Sequence, residues 1–347
     1  IFNYIKIMKI ERDPKLDFNN VLIRPKRTTM SSRSEVDLVR DFLFPHSTLR
    51  LSAVPIISAN MDTTGTLEVY NILHKHKIIT ALHKFYSLED LKDKVLDPDY
   101  FMISTGINSN DYTRLSHILN NLKVKWVCID VANGYMENLI KFCQKVRENY
   151  PDKIIVAGNV VSREMTEALI INGKVDVVKV GIGPGAACST RIQTGVGMPQ
   201  LSAVMECSDA AHGLNGFVIS DGGITCPGDM AKAFGGGADF VMMGGQFAGH
   251  DENPGELIIE NGQKYKLFYG MSSEHAMKKH YGEMAKYRSS EGRLLKIKYR
   301  GSLESTVLNY LGGLRSACTY INAKKVKNMA KCTTFVIVSQ QVNSVFL

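Results

Sequence analysis

The feature that most constrains the fold is a regular alternation between short apolar runs and segments with helical patterning. Eight runs have the length of a strand, and each is followed by a stretch in which apolar residues recur at helical spacing. Such runs are typical of parallel strands covered by helices on both faces. The runs are Val54–Met61, Ile78–Lys84, Tyr100–Gly106, Val124–Ala132, Lys153–Val160, Val175–Gly183, Gly216–Gly223 and Asp239–Gly245.

Eight βα units favour a closed (β/α)8 TIM barrel, although an open doubly wound sheet has the same alternation. The long connection from Gln246 to about Gly301 follows the last run, and we predict an active-site flap there. We expect one domain over residues 8–347. Met8 is the expected natural start, and residues 1–7 are expected to be foreign to the natural chain or disordered.

The amino-acid composition and charge limit the kinds of molecule that this protein is expected to bind. Apolar residues make up 44% and charged residues 22% of the 347 residues, as in ordinary globular proteins. The net charge is +8, but Lys and Arg are mixed with acids, so we expect a phosphorylated metabolite and no nucleic acid. Seven cysteines without a CxxC pair predict reduced thiols and a cytoplasmic location. No apolar run has the length of a membrane span, so no membrane partner is expected.

The glycine-rich segment Gly181–Ala186 has the spacing of a dinucleotide-binding fingerprint, G-x-G-x-x-A. The surrounding sequence does not fit a dinucleotide-binding site. Pro184 lies in the turn, and no strong helical pattern begins there. The acidic residue about twenty positions later, Glu206, falls on a predicted helix and not at the end of a strand. We therefore expect the glycines to expose backbone groups around Cys188.

Cys188 is the candidate nucleophile. It follows a predicted strand, and Ser189, Thr190 and Arg191 come directly after it. Turn amides and a neighbouring cation can stabilise a thiolate in such a loop. The residues alone leave a packing cysteine as the alternative, which is the interpretation we give to the other six.

Paired glycines end the last two predicted strands, at Gly222–Gly223 and Gly244–Gly245. Barrels often bind phosphate at these two strand ends through bare backbone amides, and glycine allows the phosphate to approach. Asp221 is placed to bind vicinal ribose hydroxyls. The nine histidines show no metal-ligand spacing, so we expect no zinc or iron centre.

Several motifs together resemble the IMP dehydrogenase and GMP reductase family. They are VKVGIGPGAACSTRIQTGVGMPQLSAV, SDGGITCPGDMAKAFGGGADFVMMGG, FYGMSS, YRSSEG, LDFNNVLIRPKR, ANMDT, ALHKFYS, DVANGY, AGNVV and LGGLRSACTY. The resemblance extends from about Leu16 to the C-terminus.

Three features resemble the reductase branch of this family. The sequence lacks the regulatory CBS modules that IMP dehydrogenases usually insert after the second barrel unit. The predicted flap contains Tyr287–Glu291, where the dehydrogenases have an Arg-Tyr pair. The motif FYGMSS stands where the dehydrogenases usually have GMGS. The resemblance implies NADPH-dependent conversion of GMP to IMP and ammonia. It also implies a homotetramer.

The resemblance implies roles for individual residues. Cys188 would attack C2 of the purine. Thr190 and Glu291 would transfer the proton that this step requires. A potassium ion would be bound by the backbone carbonyls of Gly183, Gly185, Cys188 and Arg191. GMP or IMP would contact Asp221, Gly222, Gly223, Gly244, Gly245, Gly270, Met271, Ser272, Arg288, Ser289, Ser290 and Gly292. The cofactor would contact Ser32, Arg33, Lys84, Asp130, Val131, Ala132, Ser316, Ala317, Cys318 and Thr319, some of them from a neighbouring subunit.

Two positions depart from the family loop GPGSxCTTR: Ala186 replaces its Ser, and Ser189 replaces its first Thr. Three alternative functions remain at this stage. They are an IMP dehydrogenase without the CBS insertion, an FMN-dependent barrel oxidoreductase with a similar phosphate site, and a nucleotide-binding regulatory barrel without catalysis.

Overall fold

The computed structural model describes residues 10–282 and 290–339. Its strands are β1 (Val21–Ile23), β2 (Arg40–Leu43), β3 (Arg50–Ala53), β4 (Ile56–Ser58), β5 (Ile79–Leu82), β6 (Phe101–Thr105), β7 (Trp126–Asp130), β8 (Ile154–Val160), β9 (Val177–Val180), β10 (Phe217–Asp221), β11 (Phe240–Met243), β12 (Ile258–Glu260), β13 (Gln263–Tyr269), β14 (Leu294–Lys298) and β15 (Phe335–Ile337).

The α-helices of the same ranges are α1 (Leu67–Leu73), α2 (Leu88–Leu91), α3 (Ser109–Asn121), α4 (Glu137–Asn149), α5 (Arg163–Ile171), α6 (Thr190–Thr194), α7 (Gln200–Gly213), α8 (Pro227–Gly235), α9 (Glu274–Tyr281), α10 (Leu303–Tyr320) and α11 (Met329–Cys332).

Strands β4 to β11 form a closed parallel barrel, and each lies within one of the eight predicted runs. The barrel closes where β11 pairs with β4, with Val241 opposite Ile56. The prediction of a (β/α)8 barrel is confirmed, and closure excludes the open doubly wound sheet. The flanking helices lie where the periodicity predicts them, for example α7 and α8.

An aromatic cluster closes the amino-terminal end of the barrel. The hairpin formed by β2 and β3 places Phe42 and Phe44 against the first residues of three barrel strands, Trp126, Phe217 and Phe240. The ring centroids of Phe42 and Phe240 lie 4.3 Å apart, and those of Phe44 and Trp126 lie 5.1 Å apart. The hairpin therefore seals the end opposite to the strand carboxyl ends, and sequence patterning did not predict it.

Two long connections, Pro184 to about Asn215 and Gln246 to about Gly301, lie at the carboxyl ends of the strands. The first carries α6 and α7, and the short helix α6 begins two residues after Cys188. The second contains the antiparallel sheet β12–β13–β14 and helix α9. Its role as a flap and the single domain over residues 8–347 stay predictions. Among the described residues, no helix is both long and apolar enough to span a membrane.

Replacing Phe44 by Ala should lower the free energy of unfolding by about 3–5 kcal/mol, because a fully buried ring leaves a cavity between the hairpin and the barrel. Urea titration measures the change. Leu43→Ala, on the same hairpin but with a side chain that is 53% exposed, should change the value by about 0.5 kcal/mol or less. Equal losses in the two variants would contradict the assignment of the hairpin as a plug.

Candidate active site

A central cavity of about 290 Å³ opens at the carboxyl ends of the barrel strands. Most of the residues that the resemblance assigned to catalysis and to the nucleotide line it together. They are Cys188, Thr190, Asp221, Gly222, Gly223, Gly244, Gly245, Gly270, Met271, Ser272, Glu291 and Gly292. Of the remaining predicted residues, Arg288 and Ser289 lie outside the described residues.

The glycine pairs leave room at the floor of this cavity. Gly222 and Gly223 have φ values of +90° and +80°, which side chains rarely adopt. A Cβ atom on Gly222 would lie only 3.2 Å from the backbone nitrogen of Gly185. A Cβ atom on Gly245 would lie 3.9 Å from the Cβ atom of Ala186. Three loops therefore meet at a surface where the glycine backbone is exposed, with Pro184, Met61 and Phe268 beside it.

Cys188, Thr190 and Glu291 form a continuous chain of hydrogen bonds. The Cys188 thiol lies 3.3 Å from the Thr190 hydroxyl, which donates to a carboxylate oxygen of Glu291 at 2.7 Å. The carboxylate can exchange a proton with a group bound above the sulfur through the intervening hydroxyl.

Backbone pairing brings Glu291 to this position. The Ser189 amide donates to the Glu291 carbonyl at 2.8 Å, and the Arg293 amide donates to the Ala187 carbonyl at 2.9 Å. The end of the second long connection thus adds to the Cys188 loop like a short strand. The geometry depends on main-chain hydrogen bonds, which side-chain substitutions leave in place.

Four other cysteines are buried, as the packing interpretation requires. Burial raises the pKa of the Cys128, Cys207 and Cys318 thiols to about 12 and also raises the pKa of Cys143. These thiols stay protonated at neutral pH and do not act as nucleophiles. Cys188 is partly exposed and lines the cavity.

A second cavity of about 530 Å³ adjoins the central one. Lys84, Asp130, Val131 and Ala132, four of the predicted cofactor residues, line it together, with Asn108 and Asp111 opposite. The two cavities share five lining residues, Asp130, Val131, Ala132, Ser272 and Glu291. A ligand in each cavity would therefore meet the other beside Glu291.

The remaining predicted cofactor residues lie elsewhere. Ser32 caps a short 3-10 helix, and this helix packs on α10, which carries Ser316 to Thr319. None of these residues lines either cavity, and the Cys318 side chain is fully buried. Their assignment stays a prediction that concerns a neighbouring subunit. Ser290 also lies outside the two cavities, where its hydroxyl donates to the Gly292 carbonyl at 2.8 Å.

A buried charge network that the sequence analysis missed links the walls of the cavities. Lys179, on β9, contacts the carboxylates of Asp130 and Asp221 at 2.9 and 2.5 Å. Asn60 donates to Asp130 at 2.8 Å, and Asn159 donates to Asp221 at 2.9 Å. The one sequence feature that could have indicated this network is a lysine within an otherwise apolar strand.

A second missed feature attaches the long connection to the barrel. Asp62 follows β4 and is 4% exposed, and one of its carboxylate oxygens accepts three hydrogen bonds. The donors are the Tyr269 hydroxyl at 2.8 Å, the Lys279 ammonium at 3.1 Å and the His280 ring at 2.7 Å. Because Lys279 and His280 lie on α9, Asp62 holds this helix beside the second βα loop, where Phe85 stacks on His280.

The predicted cation ligands lie in the segment between β9 and α7, with Arg191 in helix α6. The Gly185 carbonyl accepts from the Cys188 amide at 3.0 Å, and the Arg191 carbonyl accepts from Gly195 at 3.1 Å. The Arg191 guanidinium donates to the Met198 carbonyl at 2.6 Å. Within residues 10–282 and 290–339 no cluster of three or more His, Cys, Asp or Glu residues is arranged to hold a metal ion.

Comparison with known proteins agrees with this geometry. The family model described as IMP dehydrogenase / GMP reductase domain matches residues 15–344. A GMP reductase of Caenorhabditis elegans is 54% identical over 345 residues, covering 98% of this chain and 96% of that protein. GMP reductase 2 of Homo sapiens is 55% identical over 342 residues, covering 97% and 98%. A GMP reductase of Yersinia pestis (strain Pestoides F) is 55% identical over 345 residues, covering 98% and 99%.

The chain belongs to the IMP dehydrogenase and GMP reductase family, a class of barrel oxidoreductases. The relatives named above are reductases, so the prediction of the reductase branch is confirmed. The alternative of an IMP dehydrogenase without its insertion is not favoured.

The partly buried His83 predicts a pH dependence of stability. Burial lowers the pKa of its ring from 6.5 to about 4, so below pH 6.5 the unfolded chain binds a proton that the folded chain does not. Unfolding free energy should therefore fall as the pH drops from 6.5 towards 4, by at most about 1.4 kcal/mol per pH unit from this residue.

Urea titrations over this pH range measure the effect. His83→Gln should lose less stability than the wild type as the pH falls, whereas the exposed His117→Gln should follow the wild type. An identical pH dependence of His83→Gln and wild type would contradict the assignment.

Proposed function

We propose that this protein catalyses the NADPH-dependent reductive deamination of GMP, with Cys188 as nucleophile. GMP, NADPH and two protons would give IMP, NADP+ and ammonium. The observation that carries this proposal is the Cys188–Thr190–Glu291 chain, at 3.3 and 2.7 Å, located where the two cavities meet. A nucleotide in one cavity and a dinucleotide in the other would place their reacting groups beside the sulfur.

The central cavity supplies the groups that a purine nucleotide needs. The backbone at Gly222–Gly223 and Gly244–Gly245 would bind the phosphate, because no side chain blocks its approach. One carboxylate oxygen of Asp221 is held by Lys179 and Asn159, and the other would accept the ribose hydroxyls. The base would then lie between Cys188 and the Met271–Ser272 segment.

The covalent step forms a bond between the Cys188 sulfur and C2 of the guanine ring, and the bond from C2 to the exocyclic nitrogen breaks. The departing nitrogen needs a proton, which Glu291 would pass through the Thr190 hydroxyl. When bound, NADPH supplies the hydride that C2 receives. Cleavage of the carbon–sulfur bond then restores the Cys188 thiolate and releases IMP.

The second cavity fits a nicotinamide cofactor. Lys84 provides a cation, and Asp130, Val131 and Ala132 form the wall shared with the nucleotide. Ser32, Arg33 and Ser316 to Thr319 would contact the adenosine side from a neighbouring subunit of a homotetramer. The free cysteines fit a reducing compartment, so we propose a cytoplasmic location.

Potassium would be bound by the carbonyls of Gly183, Gly185, Cys188 and Arg191. These residues lie in the segment from Gly183 to Arg191, which contains the nucleophile, and Gly183 has a φ of +86°. Rings of carbonyl oxygens suit monovalent cations. The ion would hold the loop so that the Cys188 sulfur points into the cavity.

Replacing Cys188 by Ala should lower GMP-dependent NADPH oxidation by about 10³-fold or more, because the covalent step is lost. The measurement is the loss of NADPH absorbance in the presence of GMP and potassium. Cys332→Ala, which removes a partly exposed cysteine far from the cavity, should keep wild-type activity. Wild-type protein that is inert with GMP but reduces NAD in the presence of IMP would refute the proposal.

Replacing Ala186 by Ser should lower the KM for GMP by about tenfold, because the added hydroxyl would donate to the phosphate, worth roughly 1–2 kcal/mol. The value of kcat should stay unchanged. Guanosine, which lacks the phosphate, should bind both forms equally. An unchanged KM for GMP would place the phosphate away from residue 186.

A further inference from the structure

Lys179 is a buried cation that the proposed mechanism does not use. Its side chain points from β9 into the barrel end and is 4% exposed, and its ammonium contacts both Asp130 and Asp221. A buried ammonium is costly unless it is paired and hydrogen-bonded. The arrangement of two carboxylates around one ammonium therefore has to be maintained by the surrounding strands β7, β9 and β10.

The two carboxylates belong to different walls. Asp221 lines the central cavity, whereas Asp130 lines both cavities. Each is oriented by a second donor, Asn159 for Asp221 at 2.9 Å and Asn60 for Asp130 at 2.8 Å. One ammonium thus connects the wall predicted to bind the ribose of the nucleotide with the wall predicted to bind the nicotinamide.

We propose, resting on the function proposed above, that Lys179 is a positioning residue for this reaction. Its ammonium orients Asp221 towards the ribose hydroxyls and holds Asp130 at the boundary of the two cavities. The relative orientation of nucleotide and cofactor above Cys188 is thereby fixed.

The charges around Lys179 give the proposal a distinct pH signature. Burial alone acts to lower the pKa of Lys179, but Asp130 and Asp221 outweigh it and the pKa is raised. Burial acts to raise the pKa of Asp130, but Lys179, with Lys84 further away, lowers it. The neighbouring Cys128 thiol stays protonated, because burial raises its pKa to about 12.

Without the ammonium, two partly exposed carboxylates would remain around the position that it occupies. Their mutual repulsion would raise the pKa of the pair, so that it takes up a proton on mild acidification. The proton would partly replace the ammonium. The loss of GMP affinity caused by removing Lys179 should therefore depend on pH. A purely structural role of Lys179 would not produce this pH dependence.

The test measures GMP affinity by titration calorimetry, without cofactor or turnover, at mildly alkaline and mildly acidic pH. Lys179→Met should weaken GMP binding by about tenfold or more at alkaline pH, and the deficit relative to wild type should shrink at acidic pH. Lys179→Arg, which keeps the charge, should recover most of the affinity. Lys266→Met removes another buried ammonium, one that donates to the Asn253 carbonyl at 2.7 Å and lines neither cavity, and should lower only the melting temperature.

A second variant tests the proposal even if Lys179→Met folds poorly. The double variant Lys179→Met/Asp130→Asn leaves a single carboxylate, so its GMP affinity relative to wild type should not vary with pH. A Lys179→Met protein that binds GMP like the wild type, or equally weakly at both pH values without rescue by Arg, overturns the proposal. Failure of wild-type protein to oxidise NADPH with GMP would refute the proposed function instead, because the calorimetric comparison does not depend on turnover.

Discussion

The pairing of β11 with β4 closes the barrel, and every feature of the candidate site depends on it. In a closed parallel barrel the carboxyl ends of all strands form one ring, so residues far apart in sequence become neighbours. Asp130, Cys188, Asp221 and Gly244 follow four different strands and line one cavity for this reason. At the opposite end the Phe42–Phe44 hairpin fills the barrel with aromatic rings, which leaves the carboxyl end as the open one.

Electrostatics organise the space inside this ring. The buried ammonium of Lys179 contacts two carboxylates, and each carboxylate also accepts a hydrogen bond from an asparagine amide. An unpaired charge at this depth would be costly. Because these groups lie on strands of one barrel or directly after them, the sheet sets their separation. The polar walls of the two cavities are therefore pre-organised, as catalytic electrostatics require.

The catalytic carboxylate, in contrast, comes from outside the barrel. Glu291 reaches Thr190 because the chain around it pairs with the Cys188 loop through backbone hydrogen bonds. Earlier in the same connection, Tyr269, Lys279 and His280 donate hydrogen bonds to Asp62 on the barrel. Backbone pairing at one end and a buried carboxylate at the other attach a long loop to a rigid support, which is a common way to complete an active site.

The sequence by itself determined the eight strands, most of the helices, the loop of Cys188 and the paired glycines, because hydrophobic periodicity and glycine at strand ends are local signals. Family motifs then indicated which polar residues accompany them. Only the tertiary structure decided that Thr190 and Glu291, 101 residues apart, share a 2.7 Å hydrogen bond, and that Lys179 bridges two cavity walls. It also decided that the β2–β3 hairpin seals the barrel and that Ser32 and Ser316 lie away from both cavities. These relations depend on barrel closure and on packing between distant segments, which leave no periodic trace in the sequence.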